Sequence, residues 1–484
     1  MKKPLSLFLC AVLLLSLCAC GSSAPSGTTG AVETTAAPLG DVPLLQAGYA
    51  IADITPTESV PLRGSGNTSM RMSTGLLDRL YLTCVALTDE DGTTALLFSY
   101  DISGCYKNVT DPMLEKVSRE LDIPLELISL SASHTHNAPD LANNKEPSIA
   151  TYRKVVENKL LATAQEALAD RKSATMWIST TETKNLTFVR RYILEDGTFA
   201  GDNYGHPDKS PIVAYESEPD TALQLLRFAR EGGKDIVLAN FQAHPNYVQV
   251  GGANHTDVSA DFVGVFRESL ANKLDCHVAY FTGACGNLRS YSRIKADNLA
   301  ANHREHGAAL AQYGVQAAET FQQVQTGSIR ATQLTYTGKV NHSEDHLVGY
   351  ANEVFTYWQQ TNDKEGSTVM GLPYGIESPH HAGAIVAKAK LEETLDLNIR
   401  VLAVGDVAFT MAPYEMFDTN GVFIKENSPF AMTMILTCTN DSNTYIPSAL
   451  GYQNGGYEVH QGRFVAGTGE ELANIYVDLL TQLN

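Results

Sequence analysis

The 484-residue chain has no CxxC pair, no long apolar run beyond its N-terminus, no excess of basic residues and no internal repeat. Three of its eight cysteines fall in the first 20 residues; the others are Cys84, Cys105, Cys276, Cys285 and Cys438. An odd number without CxxC spacing argues against both a disulfide framework and a thiolate zinc site, leaving small core residues. With 54 acidic against 35 basic residues, the formal net charge of -19 excludes a phosphate backbone as a natural partner, so no nucleic acid is expected. No G-x-S-x-G elbow accompanies the histidines, which disfavours serine-hydrolase chemistry. No linker composition follows residue 42, so 43–484 reads as one large domain, with 44% hydrophobic residues to build its core.

The N-terminus carries a signal. Residues 1–20, MKKPLSLFLCAVLLLSLCAC, combine two lysines with an apolar stretch too short to span a bilayer and a small-residue turn at a cysteine. Leu17-Cys18-Ala19-Cys20, followed by Gly21, resembles the bacterial lipoprotein box, cut before a cysteine that is then acylated; an ordinary cleaved signal is the alternative. The first reading implies an extracytoplasmic domain held to the membrane through lipidated Cys20. Residues 21–42, rich in Ser, Thr, Ala, Gly and Pro, have the composition of a flexible tether.

Ser131–Asp140, SASHTHNAPD, organises the remainder. It follows the apolar run LDIPLELISL, so a buried strand is predicted to end at its histidines, and a strand-like H-x-H places His134 and His136 on one side of one cavity. DIVLANFQAHP repeats the arrangement at His244. Glu415 follows the apolar strand NIRVLAVGDVAFTMAP, and Tyr445 follows FAMTMILTCTN. Two imidazoles, a carboxylate and a phenolate form a sensible donor set for zinc, whose charge can lower a tyrosine pKa enough to make it a ligand.

Elsewhere, two apolar runs joined by Asp89-Glu90-Asp91-Gly92 predict a hairpin. Helices are predicted over 151–172, 258–275, 299–324 and the C-terminal EELANIYVDLLTQL, with an irregular region around His380-His381. His303 and His306 are expected on a solvated helical face. Strands alternating with helices, and chemistry at strand ends, indicate an α/β (α+β possible) fold of layered β-sheets flanked by helices.

Taken in order, GYAIADITP, DRLYLTCVAL, SASHTHNAP, NFQAHP with VSADFVG, FTGACGN, APYEMF, TYIPS and GGYEV make the chain from about Gly48 to its C-terminus resemble the neutral/alkaline non-lysosomal ceramidase family, over that family's catalytic domain. The resemblance implies a zinc hydrolase of amide or ester bonds, with a small-molecule or lipid-like N-acyl substrate. Its zinc ligands fall on His134, His244, Glu415 and Tyr445, and other active-site positions on His136, Tyr457 and either Arg190 or Arg191. Asp261 reads either as a partner orienting a ligand histidine or as a helix cap. One departure is informative. The family's serine, in a Gly-Asp-x-Ser-Pro turn, corresponds to Arg289 in Gly286-Asn287-Leu288-Arg289-Ser290. Arginine has no lone pair for attack, so a zinc-activated water is expected as nucleophile, with Glu415 or His136 as base. Arg289 would then hold an anionic substrate group or pair with a surface acid, unless a local shift presents Ser290. A non-catalytic, surface-anchored ligand-binding protein retaining the fold is the alternative; lost metal ligands would mark it, and none is lost.

Overall fold

In the computed structural model, residues 44–64, 71–202, 204–205, 210–250, 255–294, 297–442 and 444–484 are described; Cys20 and the 21–42 segment lie outside them. Among the described residues a nine-stranded sheet is built from Leu45–Asp53 (β1), Tyr81–Thr88 (β2), Thr94–Tyr100 (β3), Ile128–Ala132 (β4), Lys172–Glu182 (β5), Ala222–Arg230 (β6), Ile236–Phe241 (β7), His277–Thr282 (β8) and Gln322–Val324 (β9). The order is β8-β7-β6-β5-β1-β2-β3-β4, with β9 on β5. A four-stranded sheet follows, in the order Ile329–Lys339 (β10), Thr394–Val404 (β11), Val407–Met411 (β12) and Met432–Leu436 (β13).

Period-two side-chain alternation dictates the layering. On β11 to β13, Leu402, Val404, Phe409 and Met434 join the core shared with the large sheet, while Val401, Ala403, Ala408 and Ile435 join a second core. That second core is closed by Asp418–Asn427 (α8) and Thr468–Leu483 (α9), through Ile424, Leu472 and Tyr476. The large sheet alternates likewise: Leu226, Leu238 and Phe281 face the inner core, whereas Leu225, Val237 and Tyr280 face Asp261–Leu274 (α3) and His303–Ala318 (α4). Helix, sheet, sheet and helix thus stack as layers, an α/β architecture as expected.

The large sheet curls until its edges meet. Ser99 Oγ on β3 donates to the Tyr280 carbonyl of β8 at 2.5 Å, and Thr282 Oγ1 donates to the Ser133 carbonyl at 2.8 Å. The residues after β13 fill the seam: Thr437 N donates to Thr282 O and Ala132 N to Cys438 O. The pairs β3–β4, β7–β8 and β12–β13 are parallel, so several strand C-termini open on one place.

Several expectations need correction. The apolar run 398–413 is a hairpin, not one strand, because Gly405 (φ 52°) and Asp406 turn it. Helix α4 is shorter than 299–324, starting where Asn302 accepts from the Arg304 and Glu305 amides. Its histidines are not solvated: His306 Nε2 bonds the Leu186 carbonyl at 2.6 Å and His303 meets Asp78 at 3.1 Å, because that face packs on α3. The region read as irregular holds three helices, Val348–Thr361 (α5), Lys364–Gly371 (α6) and Pro379–Lys388 (α7). The five cysteines beyond the signal are free and buried, as expected. Among the described residues no helix is long and apolar enough to cross a membrane.

Candidate metal centre

His134 lies two residues past β4, His244 three past β7, Glu415 four past β12, and Tyr445 after β13. Glu415–Met416 and Tyr445–Ile446 form a short parallel pair that sets Glu415 beside Tyr445. The H-x-H segment is not extended, since His134 adopts φ 68°, a left-handed backbone that turns its ring under the strand ends. Gly64, at φ 102°, closes over the next histidine; a Cβ there would lie 2.4 Å from the His136 Cβ.

The ligand atoms of His134, His136 and His244 lie within 4.8 Å of one another. Glu415 Oε2 sits 3.1 Å from His244 Nε2 and 3.4 Å from His134 Nε2. Two of the three outer nitrogens are tied down, and His244 Nδ1 is buried without a hydrogen-bond partner. His134 Nδ1 donates to the Ser103 carbonyl at 2.5 Å, and His136 Nδ1 donates to Gln249 Oε1 at 2.7 Å. Both acceptors are carbonyl oxygens, so each of these two rings keeps a proton on Nδ1 and turns its Nε2 to the cluster. His134 Nε2 is buried without a hydrogen-bond partner. An orphaned nitrogen among imidazoles and a carboxylate is what a cation completes, and nitrogen and oxygen donors suit zinc.

The electrostatics differ from ring to ring: burial would lower His134, but Cys438 and Glu415 outweigh it and hold that imidazole well above the ordinary histidine range, so an ion at Nε2 would have to displace a proton. Burial, then His134 and His244, hold His136 well below the ordinary histidine range, and burial and Arg190 lower His244 to about 4. Burial alone would raise Glu415, but the two imidazoles on its carboxylate outweigh it and keep it ionised. Burial and Glu415 push the Tyr445 phenol well up, with Arg190 opposing; only a cation would reverse that sense. Tyr457 is raised by burial to about 12 and its ring lies 5.9 Å from that of Tyr445.

The structure separates the two candidate arginines. Arg190 Nε meets Glu458 at 2.7 Å, Nη2 donates to the Gly286 carbonyl, and the guanidinium lies 5.5 Å from the Tyr445 ring centre. Arg191 turns away, forking onto Glu216 and bonding Glu458 and the Gly451 and Gly455 carbonyls. Asp261 touches none of the three clustered histidines and is no ordinary cap: its Oδ2 accepts from Val248 N at 2.9 Å, anchoring the turn Tyr247–Val250 that carries Gln249. Arg289 pairs with the largely buried Asp202 at 3.0 Å, not with a surface acid. Ser290 is fully buried and is not among the residues that line the two cavities at the cluster. Sequence reasoning missed Gln249, Ser103, Asp202 and the helical wall formed by α5 and α7.

A second cluster, Glu377, His381 and His460, brings its ligand atoms within the same 4.8 Å. The imidazoles of His381 and His460 are stacked at 3.6 Å and 2° apart, so their in-plane lone pairs run parallel instead of converging. His381 also spends both nitrogens, accepting from Glu377 N and bonding Glu344 at 2.7 Å. This cluster joins α7 to the helical turn Tyr457–Gln461 that carries Tyr457.

Strand-end histidines, a carboxylate and tyrosines gathered where two cavities meet mark a candidate metal centre in a layered α/β protein. No family model matches the chain, and no curated protein matches it by sequence. Among solved structures, the neutral ceramidase from Pseudomonas aeruginosa matches at a TM-score of 0.67 and 16% identity, covering 92% of this chain and 75% of that one. A ceramidase complexed with C2 matches at 0.66 and 16%, over the same shares. The fold is ceramidase-like.

Proposed function

We propose that this chain is a metal-dependent hydrolase of amide or ester bonds, with zinc as the ion. The observation that carries the reading is the convergence of three imidazoles, two of which, His134 and His136, have their outer nitrogens fixed by carbonyl oxygens, while the buried His134 Nε2 lacks a hydrogen-bond partner. His134, His244, Glu415 and Tyr445 would hold the ion, with His136 close enough to be a further donor. Such an ion polarises a carbonyl and lowers the pKa of water.

The chain's own groups account for the rest. Glu415 and neutral His136 are the bases within reach of the cluster. Tyr457 stays a phenol at neutral pH and would donate its hydroxyl's proton to the oxygen that gains charge as a carbonyl becomes tetrahedral. Arg190, clamped by Glu458 and the Gly286 carbonyl, places a fixed positive charge beside Tyr445. Elemental analysis of protein purified without chelator is expected to find one zinc per chain, lost in His134→Ala and His244→Ala, together with turnover of members of an N-acyl amide panel. Normally folded wild type without metal and without turnover would refute the reading and favour the ligand-binding alternative.

We also propose that Cys20 anchors the protein to the outer face of the cell membrane. Wild type is expected in the membrane fraction and Cys20→Ala in the soluble one; equal release of both would count against lipidation.

A further inference from the structure

Fourteen large apolar side chains are exposed among the described residues, and five of them, Tyr350, Val369, Met370, Leu372 and Tyr374, fall within 25 residues on the helical wall. Single exposed apolar residues are ordinary, whereas a cluster marks a surface that meets something. Val369 and Met370 lie on α6, and Leu372 and Tyr374 on the helical turn Leu372–Tyr374 that continues it. Tyr350 reaches across from α5 to stack on Tyr374, with ring centres 3.7 Å apart and planes 15° apart. Each of the five is between 39% and 62% exposed. No charged residue occurs from 366 to 376, so this stretch can enter an apolar phase without stranding an ion.

The patch is held in place. Ile376, fully buried, packs with Ala351 and Val354 of α5 and with Ala382 and Ile385 of α7, and Asp363 caps α6 by accepting from Gly366 N at 2.9 Å. A surface fixed beforehand loses little conformational entropy on docking. Helix α5 also has an inward side, where Phe355 and Trp358 line the larger of the two cavities at the histidine cluster, about 660 Å³ in volume.

Five half-exposed side chains fall well short of the about 20–30 residues a side that a stable protein interface uses, which argues against a second copy as the occupant. The reading of Cys20 as a lipid anchor supplies a bilayer instead. Leu44, the first described residue, follows Cys20 by 24 positions (44 less 20), so even a fully extended connection holds the domain within about 80 Å of the membrane. At the effective concentration this creates, a contact too weak to retain the chain alone suffices. Charge points the same way. A chain with a formal charge of -19 gains nothing from anionic headgroups, so its docking face has to be uncharged and apolar, and tyrosines suit the headgroup level.

We propose that Tyr350, Val369, Met370, Leu372 and Tyr374 form a membrane-docking surface that enters the headgroup and upper acyl region of the bilayer, a proposal that takes its occupant from the anchoring reading. Docking there puts the helix that forms the larger cavity's apolar side at the lipid surface.

The test floats full-length Cys20→Ala, which has no acylated cysteine at that position, with phosphatidylcholine vesicles over a range of lipid concentrations. Every comparison is made on this background. Met370→Gln combined with Leu372→Gln is expected to lower the partition coefficient about tenfold or more, whereas Val213→Gln combined with Leu334→Gln, exposed apolar positions on other elements, leaves it unchanged. Glu365→Leu, one helical turn before Val369 on the same face, should raise it by about tenfold, a gain that misfolding cannot mimic. Partitioning should persist in high salt and gain nothing from added phosphatidylglycerol. Equal partitioning of the parent and the Met370 and Leu372 double variant, or none by the parent at any lipid concentration, overturns the proposal. So does sedimentation without lipid that shows a dimer dissolved by the same double variant, since the face would then belong to a second copy. If fractionation shows that Cys20 carries no lipid, the anchoring reading falls, while vesicle binding lost in the double variant still upholds the docking surface.

Discussion

Gln249 fixes His136 from a position 113 residues away, its carbonyl oxygen accepting from Nδ1 while its amide nitrogen donates to the Gly64 carbonyl. The turn carrying it is pinned in its own right by Asp261, a carboxyl that burial raises to about 6. A hydrogen-bond partner of this kind sets ring orientation and tautomer, and removing one costs metal affinity or activity about 10- to 100-fold. Gln249→Ala is accordingly expected to weaken zinc retention, measured by competition with a chromogenic chelator, by about tenfold or more while thermal stability of the metal-free protein barely changes. Unaltered retention would show that His136 needs no such support. Nothing in the sequence marks Gln249, because its role comes from a hydrogen bond between distant segments; His134, His244 and Glu415 were legible because each follows an apolar strand whose end could be read.

The helical wall is the element least visible in the sequence. Gly366, Gly371, Pro373 and Gly375 break 348–388 into short helices, and no stretch is long enough for its apolar period to stand out. Helix Lys107–Leu121 was hidden similarly by its internal Pro112. The hairpin of β2 and β3 and the helix α9, by contrast, carry uninterrupted patterns and were readable. An apolar cluster of Ala351, Val354, Ile376, Ala382 and Ile385 joins α5 to α7, and charge adds to it: Glu344 accepts from His381 at 2.7 Å and from Lys388 at 3.1 Å, both on α7. Burial by itself would raise the Glu344 pKa, but these partners outweigh it and hold the carboxyl at about 2, against an ordinary 4.5. A depressed folded-state pKa stabilises fully above the unfolded value and loses that contribution as pH falls from 4.5 towards 2. Hydrogen-exchange protection across Pro379–Lys388 should therefore fall in that window beyond the intrinsic rate change. Glu344→Gln should show the loosened state already at pH 7, and a variant with wild-type protection would remove Glu344 from the account.

At the scale of the molecule, the site exists because the large sheet curls until β8 approaches β4 without a ladder of backbone hydrogen bonds between them. His134 hangs from one side of that seam and His244 from the other, so whatever closes the seam sets the distance between them. Asp101, fully buried at the end of β3, receives two hydrogen bonds from Arg267 on α3, at 2.6 and 3.1 Å, and a third from Tyr81 N at 2.8 Å. Since α3 packs on β8, this pair crosses the seam through the protein interior. Removing one partner of a buried ion pair strands the other charge away from water and costs about 3–5 kcal/mol, whereas replacing both with apolar side chains of similar volume costs far less. Arg267→Ala should lower the unfolding free energy by that amount in urea titrations. Arg267→Met combined with Asp101→Leu should recover part of it, limited by the Tyr81 amide left without its acceptor. If the pair sets the spacing of the two histidines, Arg267→Ala should also release zinc more readily than an equally destabilising core truncation such as Leu472→Ala, on α9 away from the seam. Equal zinc retention in the two variants would mean that the parallel strand ends position the histidines unaided and that Asp101 and Arg267 serve stability alone.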